Sequence, residues 1–183
     1  MEINTLLMGV IPLIVFVVID SFAGLKAGVI SAFAFALLEA GYTYYTTKGL
    51  DEISILSLAL VSIFGVLSLK YDNPLFIKLQ PVILGCCIGV GFLVMQYLDK
   101  PVMVLMATKY SHLLPAQLRS NLANPFFLAL LKKASLYLGF GFLLHAAGVG
   151  YAAFYMSNWW WLIIRGVGLY VVMGLSMIAA VKI

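Results

Sequence analysis

Two uncharged apolar runs joined by a short polar connection constrain this chain more than any other feature. The first runs from Ile53 to Leu69, and the second from Leu79 to Leu98. At about 1.5 Å rise per residue each reaches roughly 25–30 Å, the depth of a bilayer's hydrocarbon core. Only Lys70-Tyr71-Asp72-Asn73-Pro74-Leu75-Phe76-Ile77-Lys78 lies between them, and Asp99-Lys100-Pro101 closes the second. So short a link forces the two helices to lie antiparallel and side by side. The stretch from Ile53 to Pro101 therefore reads as a membrane-spanning hairpin.

The rest of the chain follows the same pattern. Its 183 residues are 64% hydrophobic and 10% charged, with a mean hydropathy of +1.09. A soluble domain is nearer half apolar and a quarter charged. The expected class is an all-α integral membrane protein, one transmembrane domain over residues 1–183. About six spans are predicted, at Thr5–Ile19, Ala27–Tyr45, Ile53–Leu69, Leu79–Leu98, Ala134–Tyr155 and Trp160–Val181. The first is short and interrupted by Pro12, and the count falls to five if it does not cross. With no basic segment and no small-residue cleavage site before it, it reads as a retained span.

Basic residues set the expected orientation. With the N-terminus inside, the inner pieces carry Lys48, Lys100, Lys109, Arg119, Lys132, Lys133 and Lys182, and the outer pieces Lys26, Lys70 and Lys78. That bias predicts cytoplasmic N- and C-termini. The bases are spread among loops rather than gathered in one patch, which argues against a nucleic-acid partner.

Residues 99–133 form the one long polar connection, a cytoplasmic amphipathic connector. Val102, Met103, Leu105, Met106, Tyr110, Leu113 and Leu114 mix there with Lys109 and His112 before Pro115. The pattern predicts a short interfacial helix, its apolar side in the acyl region and its lysines towards anionic head groups. It either anchors the bundle or offers a docking surface to a cytoplasmic partner.

Tyr42, Tyr44 and Tyr45 end the second predicted span, and Trp159-Trp160-Trp161 opens the last, as interfacial belts do. Gly85-Cys86-Cys87-Ile88-Gly89 has the small-xxx-small spacing of closely packed helices. Neighbouring Cys86 and Cys87 point apart on a helix and read as small packing residues without metal-binding spacing.

Four polar residues sit where apolar ones are expected: Asp20, Glu39, His145 and Arg165. A charge at a span's centre costs on the order of 2.5–3.5 kcal/mol, so such residues find partners or water. Asp20 and Arg165 fall at similar depth, and either pair or leave Arg165 to snorkel to head groups. Glu39 and His145 either form a proton relay or serve structure alone. Paired catalytic carboxylates, a phosphate-cradling glycine loop and a serine elbow are missing from the sequence. The expectation is a non-enzyme without cofactor or metal.

At the central hairpin the residues become specific. Phe64-Gly65-x-Leu67-Ser68-Leu69, Asn73, Phe76-Ile77-Lys78, Pro81 and Lys100-Pro101 together resemble the bacterial intracellular septation protein A family. Ile11-Pro12-Leu13 with Phe16, and Trp161 with Arg165 and Gly168, extend the likeness outward. Ile163, Val149, Gln80 and Glu39 depart from the family pattern, marking a divergent member. The resemblance implies a multi-pass protein of the bacterial inner membrane that supports cell-envelope biogenesis, envelope integrity and septation. It implies an interaction or scaffold role, with membrane lipids and elongation or division proteins as partners and a homo-oligomer as a further arrangement. No chemical reaction comes with it. Phe76, Ile77, Lys78, Lys100, Pro101, Trp161 and Arg165 are then candidate contacts for lipid or partner. Lys78 would either grip a lipid phosphate or partner helix, or simply reach head groups from a rigid turn. The alternative from another class is a small transporter or lipid-handling protein with a polar site around Glu39 and His145.

Overall fold

The computed structural model describes residues 11–47 and 52–182. The start of the first predicted span, at residues 5–10, and Lys48 lie outside them. The described residues form helices α1 (Ile11–Thr47), α2 (Glu52–Lys70), α3 (Leu75–Tyr97), α4 (Val102–Lys109), α5 (Ala116–Asn121), α6 (Pro125–Tyr155) and α7 (Asn158–Lys182), with a 3-10 turn at Ser111–Leu113. Four helices are long and apolar enough to cross a membrane: α1, α3, α6 and α7. The described apolar part of α2 is shorter. The all-helical expectation holds.

Helix α1 is not one straight rod. Gly24 takes φ 80° and ψ 171°, outside the helical region. A Cβ placed on Gly28 would stand 2.9 Å from the Asp20 Cβ and 3.1 Å from the Asp20 nitrogen. Residues eight apart on a straight helix are separated by about 12 Å. The chain therefore folds sharply back at Gly24, where a residue with a Cβ would be strained.

The central link is shorter than the sequence suggests, because α2 runs to Lys70 and α3 begins at Leu75. Asp72 sits at φ 47°, and the Asn73 nitrogen donates to the Ser68 oxygen at 3.0 Å. This i to i−5 bond, with a left-handed residue before it, is a Schellman closure with aspartate in the usual glycine place. Asn73 Oδ1 then accepts from the Leu75 nitrogen at 2.9 Å, with Pro74 between them. An asparagine cap followed by proline starts a helix cleanly. Asn124-Pro125 repeats the device, Oδ1 accepting from the Phe126 nitrogen at 2.9 Å. That cap starts α6 at Pro125, well before the expected Ala134.

The contacts divide the chain into two compact units. One comprises residues up to Pro81 with Gly150–Gly166, and the other Val82–Val149 with Val167 onward. In the first, α1 lies against α2, and a Cβ on Gly65 would stand 3.2 Å from Val29 Cγ1.

In the second, α3 and α6 meet through glycines. A Cβ on Gly89 would lie 3.0 Å from the Gly139 oxygen and 2.8 Å from Leu143 Cγ, and one on Gly85 3.1 Å from Ala146 Cβ. Gly85 and Gly89 thus pack against protein as their spacing predicts, whereas Gly91 faces open space. Both cysteines are exposed and free.

The connector begins on α6. Ser135 Oγ accepts from the Met103 nitrogen at 2.9 Å and donates to the Leu131 oxygen at 3.0 Å. Lys132 Nζ bridges Asp99 Oδ1 at 2.9 Å. Further on, the Arg119 guanidinium donates to the Ser111, His112 and Leu114 oxygens and closes the 3-10 turn. Helix α4 has no buried residue, as a surface-lying segment requires.

Candidate functional site

Within the first unit, Asp20 of α1 and Asn158 of α7 are joined by their side chains. Asp20 ends the first arm of α1, one turn before the Gly24 reversal. Gly28 has no side chain, so the second arm passes directly over Asp20. The Asp20 carboxylate accepts a hydrogen bond from Asn158 Nδ2 at 2.6 Å. Asn158 stands at the first position of α7, after Ser157, whose oxygen accepts from the Trp161 nitrogen at 3.0 Å.

Lys78 belongs to the same unit. The capped start of α3 places it one turn into the helix, and it is 5% exposed. The turn is fixed from within: Ser68 Oγ, fully buried, accepts from the Ile77 nitrogen at 3.0 Å. Tyr71 stacks on Phe76 with centroids 5.3 Å apart. Ile77 is 2% exposed. Lys78 is thus a largely buried lysine at the start of α3.

On α7, Asn158, Trp161 and Arg165 share one face at i, i+3 and i+7. Trp161 is fully buried, while Trp159 and Trp160 are exposed as belt residues are. The Arg165 guanidinium lies over the Trp161 ring, 5.7 Å from its centroid. Trp161 Nε1 and Arg165 Nη1 are buried without a hydrogen-bond partner among the described residues.

The expected pairing of Asp20 with Arg165 is therefore not what this geometry holds. Asp20 takes the Asn158 amide, a turn and more away along α7, and Arg165 uses the indole face instead. The one ion pair among the described residues is Lys132–Asp99. Glu39 lies in the first unit and His145 in the second. Of the remaining candidates, Lys100 is exposed and Pro101 buried at the start of α4.

A family model described as "Intracellular septation protein A" matches residues 5–182. The chain belongs to the intracellular septation protein A family. It is similar to three curated proteins named "Inner membrane-spanning protein YciB". The likeness to that of Sodalis glossinidius is 27% identity over 113 residues, 61% of this chain and 64% of the relative. To that of Magnetococcus marinus it is 29% over 94 residues, 51% and 48%. To that of Methylobacillus flagellatus it is 29% over 133 residues, 72% and 74%. No solved structure matches the chain. Membrane helices and inner-membrane relatives agree, and the family resemblance of the central hairpin is confirmed.

Asn158 is the member of the cluster that sequence reasoning misses. A lone asparagine beside three tryptophans reads as a loop residue, and nothing in the pattern ties it to Asp20, 138 positions earlier. The signal available was Ser157-Asn158 directly before an apolar run, a helix start.

Proposed function

We propose that this protein supports cell-envelope biogenesis, envelope integrity and septation from the bacterial inner membrane, as a non-enzymatic contact protein of the elongation and division machinery. The family and the inner-membrane relatives support the setting. The single observation that carries the contact role is the close glycine packing of α3 on α6. Helices built to touch one another through Gly85, Gly89 and Gly139 make a solid framework rather than a conduit. The crevice among Leu138, Gly141, Phe142, Leu169, Val172, Met173 and Ser176 is shallow and mainly apolar, and His145 does not line it.

Counting the two arms of α1 separately supports a reading of about six crossings, and the basic residues of the connector support cytoplasmic termini. Lipids, envelope proteins and a second copy are the partners that exposed apolar helix faces fit. A host lacking the chain should show defective septa and a fragile envelope, rescued by the wild-type gene. Reconstituted protein should move no protons across a vesicle membrane. Normal septa and an intact envelope in that host would overturn the proposal.

A further inference from the structure

We infer that the Trp161–Arg165 step of α7 binds a phosphate oxyanion, of the kind carried by a phospholipid head group or by free inorganic phosphate. A buried polar group without a partner costs about 1–3 kcal/mol, and more when charged. Two such donors, Arg165 Nη1 and Trp161 Nε1, occur one helical turn apart on one face. The guanidinium lies over the indole, 5.7 Å from its centroid, so the two donor-bearing side chains are neighbours. Oxygens of such an anion accept at about 2.7–3.0 Å.

The charges nearby favour an anion. Asp20 accepts from Asn158, and Arg165 is in no ion pair among the described residues. Asp20 is thus engaged by Asn158, and the Arg165 guanidinium has the Trp161 ring as its neighbour. A planar guanidinium is suited to phosphate, and the indole adds a second, neutral donor. Arg165 is partly exposed as a residue, although its Nη1 is covered. This site goes beyond the contact role proposed above and stands independently of it.

The test uses the full chain in detergent micelles with Trp159→Phe and Trp160→Phe, leaving Trp161 as the fluorescent reporter among the three tryptophans. Three probes are titrated: dioleoyl phosphatidylglycerol, dioleoylglycerol without a phosphate, and inorganic phosphate. A saturable emission change is expected with phosphatidylglycerol and none with dioleoylglycerol. Arg165→Gln should weaken it roughly 10-fold or more, and Arg165→Lys less. A saturable response to inorganic phosphate alone supports the site and identifies the free anion as its source. Equal saturable responses to the two lipids, no saturable response to either phosphate probe, or wild-type binding by a folded Arg165→Gln would each overturn it. Should Arg165→Gln lose its helical circular dichroism, the comparison of the two lipids and inorganic phosphate on the Arg165 protein decides alone.

Discussion

Asn158 and Asp20 are joined by a 2.6 Å hydrogen bond between side chains 138 residues apart. The bond ties the start of α7 to the end of α1's first arm. A hydrogen bond to a charged group contributes about 1.5–3 kcal/mol, and residues in contact couple by about 0.5–3 kcal/mol. Asp20→Ala and Asn158→Ala should each destabilise the protein in detergent, and the double variant by less than their sum. Strictly additive unfolding free energies would show that the pair does not cooperate.

The reversal of α1 makes Gly28 intolerant of any side chain. A methyl there meets the Asp20 backbone, which cannot swing aside as a side-chain tip would. Gly28→Val should cost about 1–3 kcal/mol by overpacking. Gly41, on the same helix with open space around it, is the control: Gly41→Ala should be neutral or slightly stabilising. Thermal unfolding of both variants in detergent checks the contrast.

The turn between α2 and α3 rests on two side-chain acceptors. Ser68→Ala leaves the buried Ile77 nitrogen without its bond and should cost about 1–3 kcal/mol. Asn73→Ala removes the cap on Leu75 and should cost about 0.5–2 kcal/mol. The same unfolding measurement reads both, with Ser68→Ala expected to be at least as damaging.

These three sites also mark how far the sequence could be read. The apolar runs of α2 and α3 are plain because a bilayer-length run without charge has few other uses. The tightness of their link was legible from its length, and the asparagine–proline starts from local chemistry. A reversal between Ile19 and Ala27 was legible as the break between two predicted spans, with Asp20 and Lys26 at its edges; that it narrows to a single kink at Gly24 was not. The partner of Asp20 was hidden as well. Depth along a span suggests Arg165, but contact depends on the rotation of α7, which composition does not reveal. Trp161 shows the same limit: three adjacent tryptophans read as one belt, yet helical geometry turns one of them fully inward.

The Asp99–Lys132 pair should behave as a surface ion pair. The hydrogen bond from Lys132, and then its charge, hold the exposed Asp99 carboxyl below its usual range. A carboxyl lowered in the folded state contributes stability above its unfolded value and loses it as pH falls through the folded one. Asp99→Asn should therefore remove a small, salt-sensitive increment at neutral pH and none under strong acid. An unfolding series in pH and salt on both proteins measures it. A difference that grew on acidification would contradict this sign.

The most direct test of the contact role is photo-crosslinking in living cells. A photoreactive amino acid would replace Ile63, Val94 or Tyr170, each an exposed residue on α2, α3 or α7. The account predicts covalent adducts with proteins of the elongation and division machinery from at least one of these faces, identified by mass spectrometry. Adducts with lipid alone from all three positions, in a strain that the substituted proteins still rescue, would contradict it.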